Sequence, residues 1–182
     1  RMLSCFRVCM QGPDALALAM PQAILTSARA ALAKYIVFSK SQIKDLNQAF
    51  CGVGLAWPKA VQLVESHFGS APTQPNGVIS FPQGHIIKVS EQRFECWLKP
   101  EAALEFWRTQ AEHCKRISHN GWQGLAIQDG IPELQAETVE MFIPQMLNLQ
   151  AIGGVSFHKG CYTGQEVVAR MQSIGAAGCF PR

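Results

Sequence analysis

No run in this sequence approaches the roughly 20 consecutive apolar residues that a membrane-spanning helix needs, so a membrane role is not expected. The apolar stretch "ALALAMPQAIL" near the start is broken by Pro21 and has neither a basic leader nor a clear cleavage site, and it does not read as a secretory signal. Charge is scarce too. Charged residues make up 16% of the chain, the net charge is +3, and there is no Lys/Arg block of the kind that marks a dedicated nucleic-acid binder. Direct nucleic-acid binding is therefore not expected, whereas an anionic ligand is permitted. The seven cysteines, at 5, 9, 51, 96, 114, 161 and 179, include no CxxC pair, which argues against a disulfide framework and a zinc site and for a reducing compartment. Internal repeats and low-complexity segments are lacking as well. The sequence starts at Arg1 and ends in "GAAGCFPR", which carries no assignable pattern; both ends read as cuts.

What is present is enough for a globular core: 182 residues, 48% of them hydrophobic. The Ala/Leu-rich stretch from Pro13 predicts a helix opening near Pro21 and running to about Lys34. "KYIVFSKSQIKDL" has a β-branched and aromatic centre and "QAFCGVGLAW" is a mostly apolar run, which predicts two strands, the second well buried. After Trp57 a helix follows, with Pro58 in its first turn, an apolar stripe at Ala60, Leu63, Val64, His67 and Phe68, and Gly69 as its end. "GSAPTQPNG" is a loop by composition, and "VISF", "HIIKV" and "RFECWL" predict an antiparallel meander. Pro100 opens a helix whose repeat at Ala103, Phe106, Trp107, Gln110, Ala111 and Cys114 puts two large aromatics on its buried side. "WQGLAIQDGIP" reads as a last strand ending at Gly130. The expected fold is thus α+β, a ferredoxin-like split β-α-β sheet with helices on one face.

The chemistry concentrates in "KGCYTGQEVVAR", Lys159 to Arg170, which the irregular segment from Glu133 to Gly154 leads into. Thr163 and Glu166 have the spacing of a capping box, predicting a helix from near Gly164 with Val167, Val168 and Met171 inward and Glu166 and Arg170 as an i, i+4 ion pair. Cys161 then stands just ahead of a helix N-terminus, where the positive end of the helix dipole and Lys159 favour thiolate over thiol. Gly160 and Gly164 leave backbone amides accessible to an anion or a carboxylate. Spacing alone keeps a second reading open, because a free cysteine is more often a small buried hydrophobe. Neighbouring His158 is read as structural or exposed. Cys51, Cys96 and Cys114 fall on expected core faces, while Cys5 and Cys9 could share a helix face. Trp57, Trp97, Trp107 and Trp122 are mostly core by position, although a tryptophan at a strand's mouth, as Trp122 is read, can wall a flat aromatic ligand's pocket.

"GGVSFHKGCYTGQEVVAR" closely resembles the signature of the YgfZ family, folate-binding proteins related to the aminomethyltransferase (T protein) of the glycine cleavage system. "KYIVFSKSQI", "GIPEL" and "FIPQMLNLQAIGG" resemble further segments of that family in the same order, so that the resemblance covers about Leu32 to Gly175. It implies iron-sulfur cluster assembly or repair in client enzymes, including those that methylthiolate tRNA, in a bacterial-type cytoplasm. It also implies bound tetrahydrofolate and, on that fold, residues 1–33 as the helical end of an incomplete folate-binding segment, 34–132 as the ferredoxin-like domain, 133–175 as a return segment with the motif and 176–182 as an unassigned tail. The family's functional cysteine falls on Cys161 with Lys159 beside it, and its folate-contacting positions on Trp122, Tyr162, Gly164, Gln165, Glu166 and Arg170; no metal ligand is implied. The family's C-terminal β-barrel has no counterpart in this sequence. Two alternatives are a tetrahydrofolate-dependent aminomethyltransferase, from whose version of the motif the cysteine-tyrosine pair and Gln165 depart, and a non-catalytic scaffold.

Overall fold

A computed structural model describes residues 1–162 and 164–176. The expected Thr163 side of the capping box, Cys179 and the end of the tail lie outside the described residues. The described chain is mixed α and β, with antiparallel sheets, five α-helices and no closed barrel among the described residues. It divides into two compact units, one made of Arg1–Val8, Ala17–Ile43 and the chain from Ala126 onward, the other of Cys9–Leu16 and Lys44–Leu125.

The chain opens with a two-stranded hairpin, β1 (Arg7–Gly12) and β2 (Ala15–Ala19), turning at Pro13-Asp14. The expected elements do not include it, and the helix face that Cys5 and Cys9 could share is not formed, Cys9 lying on β1. The alternation of Val8, Met10 and Leu16 outward against buried Cys9 and Ala17 was the signal available. Next comes α1 (Gln22–Ile36), close to its expected span, which buries Ile24 and Ala28. "KYIVFSK" does not form the expected strand. The Ala-rich helix propagates through Tyr35 and Ile36, after which the chain turns with Val37 and Phe38 exposed, so helical continuity overrides the β-branched composition.

In the second unit β3 (Cys51–Ala56), β4 (Val78–Phe81), β5 (Gly84–Ser90) and β6 (Arg93–Leu98) form one antiparallel sheet in the order β3-β6-β5-β4. The expected meander is β4-β5-β6. Its register places Val53 opposite Cys96 and Leu55 opposite Phe94, with Ile86 opposite Cys96 on the other side. Because opposed residues share a face, one side of the sheet is apolar. That side packs on Ala60 and Val64 of α2 (Ala60–Phe68) and on Ala103 and Phe106 of α3 (Pro100–Gln110). Gly69 ends α2 in the left-handed conformation that a residue without Cβ adopts freely. The other face carries Gly52, Gly54, His85, Ile87, Arg93, Glu95 and Trp97.

Three expectations are corrected here. β3 is an edge strand rather than a well-buried one, and Cys51 is exposed, since one side of the strand has no sheet neighbour. Of the two aromatics on α3 only Phe106 faces the core; Trp107 lies one residue on, about 100° round the helix, and is exposed. Finally, "WQGLAIQ" is helical, within α4 (His119–Gln128), not a closing strand, so the split β-α-β arrangement lacks its last element. Trp122, Leu125 and Ala126 stand at i, i+3 and i+4, and all three are at least partly buried, whereas Ile127 is exposed.

Candidate functional site

The motif occupies a loop leading into α5 (Gln165–Ala176). Gly164 takes φ +87°, a left-handed value that suits glycine, and the helix starts at the next residue. Tyr162 and Gln165 close the turn reciprocally. The Tyr162 backbone N–H donates to Gln165 Oε1 at 3.2 Å, and the Gln165 N–H donates to the Tyr162 carbonyl, also at 3.2 Å. Gln165 therefore has a local role in shaping the turn that carries Cys161. The Cys161 thiol is exposed, and the Lys159 ammonium lies over the Tyr162 ring, 4.2 Å from its centroid, a cation–π contact. Glu166 and Arg170 are exposed one turn apart on α5. Among the residues of this helix whose burial is described Val168 is the buried one, while Val167, expected inward, is exposed.

A second glutamine, which sequence reasoning did not single out, anchors the helix. The buried Gln145, at the turn of 3₁₀-helix Pro144–Leu147, donates from Nε2 to the Val168 carbonyl at 2.6 Å. Its signal was the segment "PQMLNLQ". The chain is led on by Asn148, in the left-handed region at φ 53°, and by buried Leu149, whose carbonyl accepts from the Gly154 N–H at 2.7 Å. Around Cys5 in the same unit, burial first and the Glu133 carboxylate second push the thiol's pKa up, which keeps that sulfur protonated.

Trp122 belongs to the second unit. Its ring rests against the backbone of Gly54, leaving no room for a Cβ there, and the Arg93 guanidinium lies over it at 4.2 Å from the centroid. It also lines a cleft of about 790 Å³ that runs along the free edge of β3 and between the loops flanking α2, α3 and α4. Trp57, Trp97 and Trp107 share the lining, and Glu95 is the one acidic side chain in it among the described residues. Trp97 Nε1–H donates to Glu95 Oε2 at 3.3 Å. Trp57 is unusual. It holds φ +67°, a conformation rare for a bulky side chain and costing on the order of 1–3 kcal/mol, and the residue, which lines the cleft, is 52% exposed. Its backbone is pinned from both sides, its N–H donating to the Gln92 carbonyl and its carbonyl accepting from the Ala60 N–H. No group of three or more metal-ligating side chains occurs among the described residues, and none of the described helices is long and apolar enough to cross a membrane.

Comparison with known proteins bears on the motif. No protein-family model matches the chain. Individual proteins do: it is 36% identical over 148 residues to the tRNA-modifying protein YgfZ of Hamiltonella defensa, covering 79% of this chain and 44% of that protein. With the protein of the same name from Colwellia psychrerythraea it shares 34% identity over 158 residues, 87% of this chain and 48% of the relative. With that from Yersinia enterocolitica it shares 32% over 178 residues, 97% and 53%. The chain belongs to the YgfZ family. It spans about half the length of the curated relatives it matches. Of the family positions carried onto this sequence, Lys159, Cys161, Tyr162, Gly164, Gln165, Glu166 and Arg170 are gathered on one loop and the first turns of one helix, and Trp122 stands in the other unit.

Proposed function

We propose that this chain is part of a folate-binding protein that supports iron-sulfur cluster assembly or repair in client enzymes, tRNA-methylthiolating enzymes among them, in the bacterial cytoplasm. The observation that carries the reading is the placement of Cys161. Among the described cysteines only Cys51 and Cys161 are exposed, and Cys161 alone stands where a helix begins, at the positive end of the helix dipole. An exposed sulfur so placed can exchange with a partner's sulfur or touch a cluster in transit, the cluster being cargo. Lys159 is held on the Tyr162 ring, which fixes a cation within two residues of the sulfur without closing over it.

The side chains of the motif fit tetrahydrofolate in kind. Tyr162 supplies an aromatic surface, Glu166 an acceptor for ring N–H groups and Arg170 a cation for the carboxylates, while Gly164 leaves the backbone open; Gln165 keeps the turn in shape. Trp122 fits less simply, because a pterin stacked on its ring would compete with the Arg93 guanidinium. When bound, folate supplies a one-carbon carrier. The test is a Cys161→Ser variant of the full-length protein in a bacterial strain lacking its own copy. Methylthiolated tRNA is expected to fall to the level of the empty strain with the protein folded and abundant, while Cys51→Ser retains it. Undiminished methylthiolation with Cys161→Ser would overturn the reading.

A further inference from the structure

Lys159 and Tyr162 stand on either side of Cys161 in the chain, and their side chains meet, the ammonium 4.2 Å from the centroid of the ring. The contact closes a short arc that contains the cysteine. Tyr162's backbone is tied to Gln165 at both ends, its N–H donating to the side-chain oxygen and its carbonyl accepting from the backbone N–H, each at 3.2 Å, so the ring stands on a fixed base. A cation–π contact at an exposed site favours the docked ammonium by a factor of about 2–5 over one free to swing. Chain geometry then bounds the distance. With consecutive Cα atoms about 3.8 Å apart, a cation on the Tyr162 ring stays within roughly 15 Å of the Cys161 sulfur in every rotamer of the thiol. The other Lys, Arg, Asp and Glu side chains between residues 159 and 170 are Glu166 and Arg170, opposite in sign and one turn apart, so Lys159 is the charge they leave unbalanced.

A cation held near an exposed sulfur leaves the bonds of thiol–disulfide exchange as they are and changes which reactants arrive. In that exchange the ionised sulfur attacks one sulfur of the reactant, the reactant's S–S bond breaks as the new one forms, and the other half leaves as a thiolate, the attacking thiol's proton having passed to water. No oxidant or reductant is consumed. Given Cys161 as the exchanging sulfur of the proposed function, on which this step rests, we infer that Tyr162 is a positioning residue that holds the Lys159 ammonium beside Cys161, and that the site thereby selects anionic disulfides over neutral ones. In water a unit charge roughly 7–15 Å away changes the local concentration of a singly charged reactant by about 1.6–2.7-fold, and that of a doubly charged one by about three- to sevenfold. Tyr162 so acquires a task beside the folate contact that the family resemblance implies for it.

The probes are dithiobis(nitrobenzoate), which carries two carboxylates, and neutral dithiodipyridine, each reacted with the full-length protein at about pH 8, where histidine is ordinarily neutral, and about 0.01 M salt, where charges are screened only beyond roughly 30 Å. Mass spectrometry of quenched aliquots gives the rate of each at Cys161. The ratio of the two rates cancels the ionised fraction of the sulfur, which both reagents share, so a merely structural change at Tyr162 leaves it unmoved. Lys159→Met should lower the ratio of anionic to neutral rate about three- to sevenfold. Tyr162→Leu should lower it at least twofold, and Tyr162→Phe, which keeps a ring, should keep it. In about 1 M salt the wild-type ratio should fall to that of Lys159→Met, while the ratio at exposed Cys51 is the same in every variant. Tyr162→Met serves in place of Tyr162→Leu should circular dichroism show that variant unfolded. An unchanged ratio in Lys159→Met or in the ringless variant would overturn the inference, as would a loss in Tyr162→Phe as large as in Tyr162→Leu. No client enzyme enters the measurement, so undiminished methylthiolation with Cys161→Ser would overturn the proposed function without moving this ratio.

Discussion

Replacing Gly54 by alanine asks one methyl group to enter space that Trp122 already fills. A Cβ at residue 54 would lie 2.6, 2.7 and 2.8 Å from Cζ3, Cη2 and Cε3 of the indole. Carbon atoms pack favourably at roughly 3.5–4.0 Å, so the ring must retreat by about 1 Å. It cannot flex within itself, and the Arg93 guanidinium lies over it. Overpacking of this kind costs about 1–3 kcal/mol, while removing a glycine from a strand returns about 0.5–1 kcal/mol. The expected net loss is about 0.5–2 kcal/mol, and each kcal/mol lowers the melting temperature of a chain this size by roughly 2–4 °C. Urea unfolding followed by tryptophan fluorescence measures it, with an unchanged m value as the control for two-state behaviour. Repeating Gly54→Ala in a Trp122→Ala background tests the cause. There the methyl group enters vacated space and should be neutral or mildly stabilising. Equal cost in both backgrounds, or no cost in the first, would refute the packing of Trp122 on β3.

Three further outcomes follow from buried groups. His85 accepts or donates through Nδ1 with Ser80 Oγ at 2.9 Å, and burial holds its pKa below the ordinary value, so the unfolded state binds its proton first as pH falls. Its contribution is whole above the usual histidine range and declines as pH drops through that range towards the folded value; His85→Asn should flatten this part of the curve of stability against pH. The Cys96 thiol, pushed up to about 12 by burial and by Glu95, should resist iodoacetamide at neutral pH until the protein unfolds, while exposed Cys51 and Cys161 label in the native state, which mass spectrometry of timed aliquots would read. Gln145→Ala leaves the Val168 carbonyl without its side-chain donor and should cost about 1–3 kcal/mol, seen as faster amide exchange along α5, whereas unchanged exchange would mean that the helix is held by other contacts.

The elements that could be read in the sequence are those in which local pattern and tertiary packing agree. β4, β5 and β6 carry β-branched and aromatic residues, α2 and α3 a helical stripe, with Pro, Asn-Gly or Gly near their ends, and the structure follows them within a few residues. Disagreement arose where composition and context compete. "YIVF" has strand-forming residues, yet it extends a preformed Ala-rich helix; "NGWQGLAIQ" contains two glycines that weaken a helical signal, but Trp122, Leu125 and Ala126 fall on one face. Exposure was the least legible property. Trp107 and Phe106 are neighbours of similar hydrophobicity, and only the phase of the helix separates a core residue from a cleft wall. Likewise Cys51 sits in an apolar run and is exposed because β3 lies at a sheet edge, a fact fixed by pairing partners many residues away.

The motif shows the opposite relation. Its two segments, "PQMLNLQ" and "KGCYTGQEVVAR", are separate in the sequence, and the Gln145–Val168 hydrogen bond joins them. A helix of 12 residues is marginal in water by itself, so the position of its first turn depends on what grips it. Gln145 grips the fourth residue of α5 and Gln165 closes the turn before it on Tyr162, one holding the helix to its unit and the other holding the loop to the helix. Cys161 lies one residue ahead of Tyr162, next to the turn that Gln165 closes. The turn is thus shaped by amides while the sulfur stays exposed, and an exposed side chain on a short loop keeps a defined direction only when its neighbours make the fixing bonds.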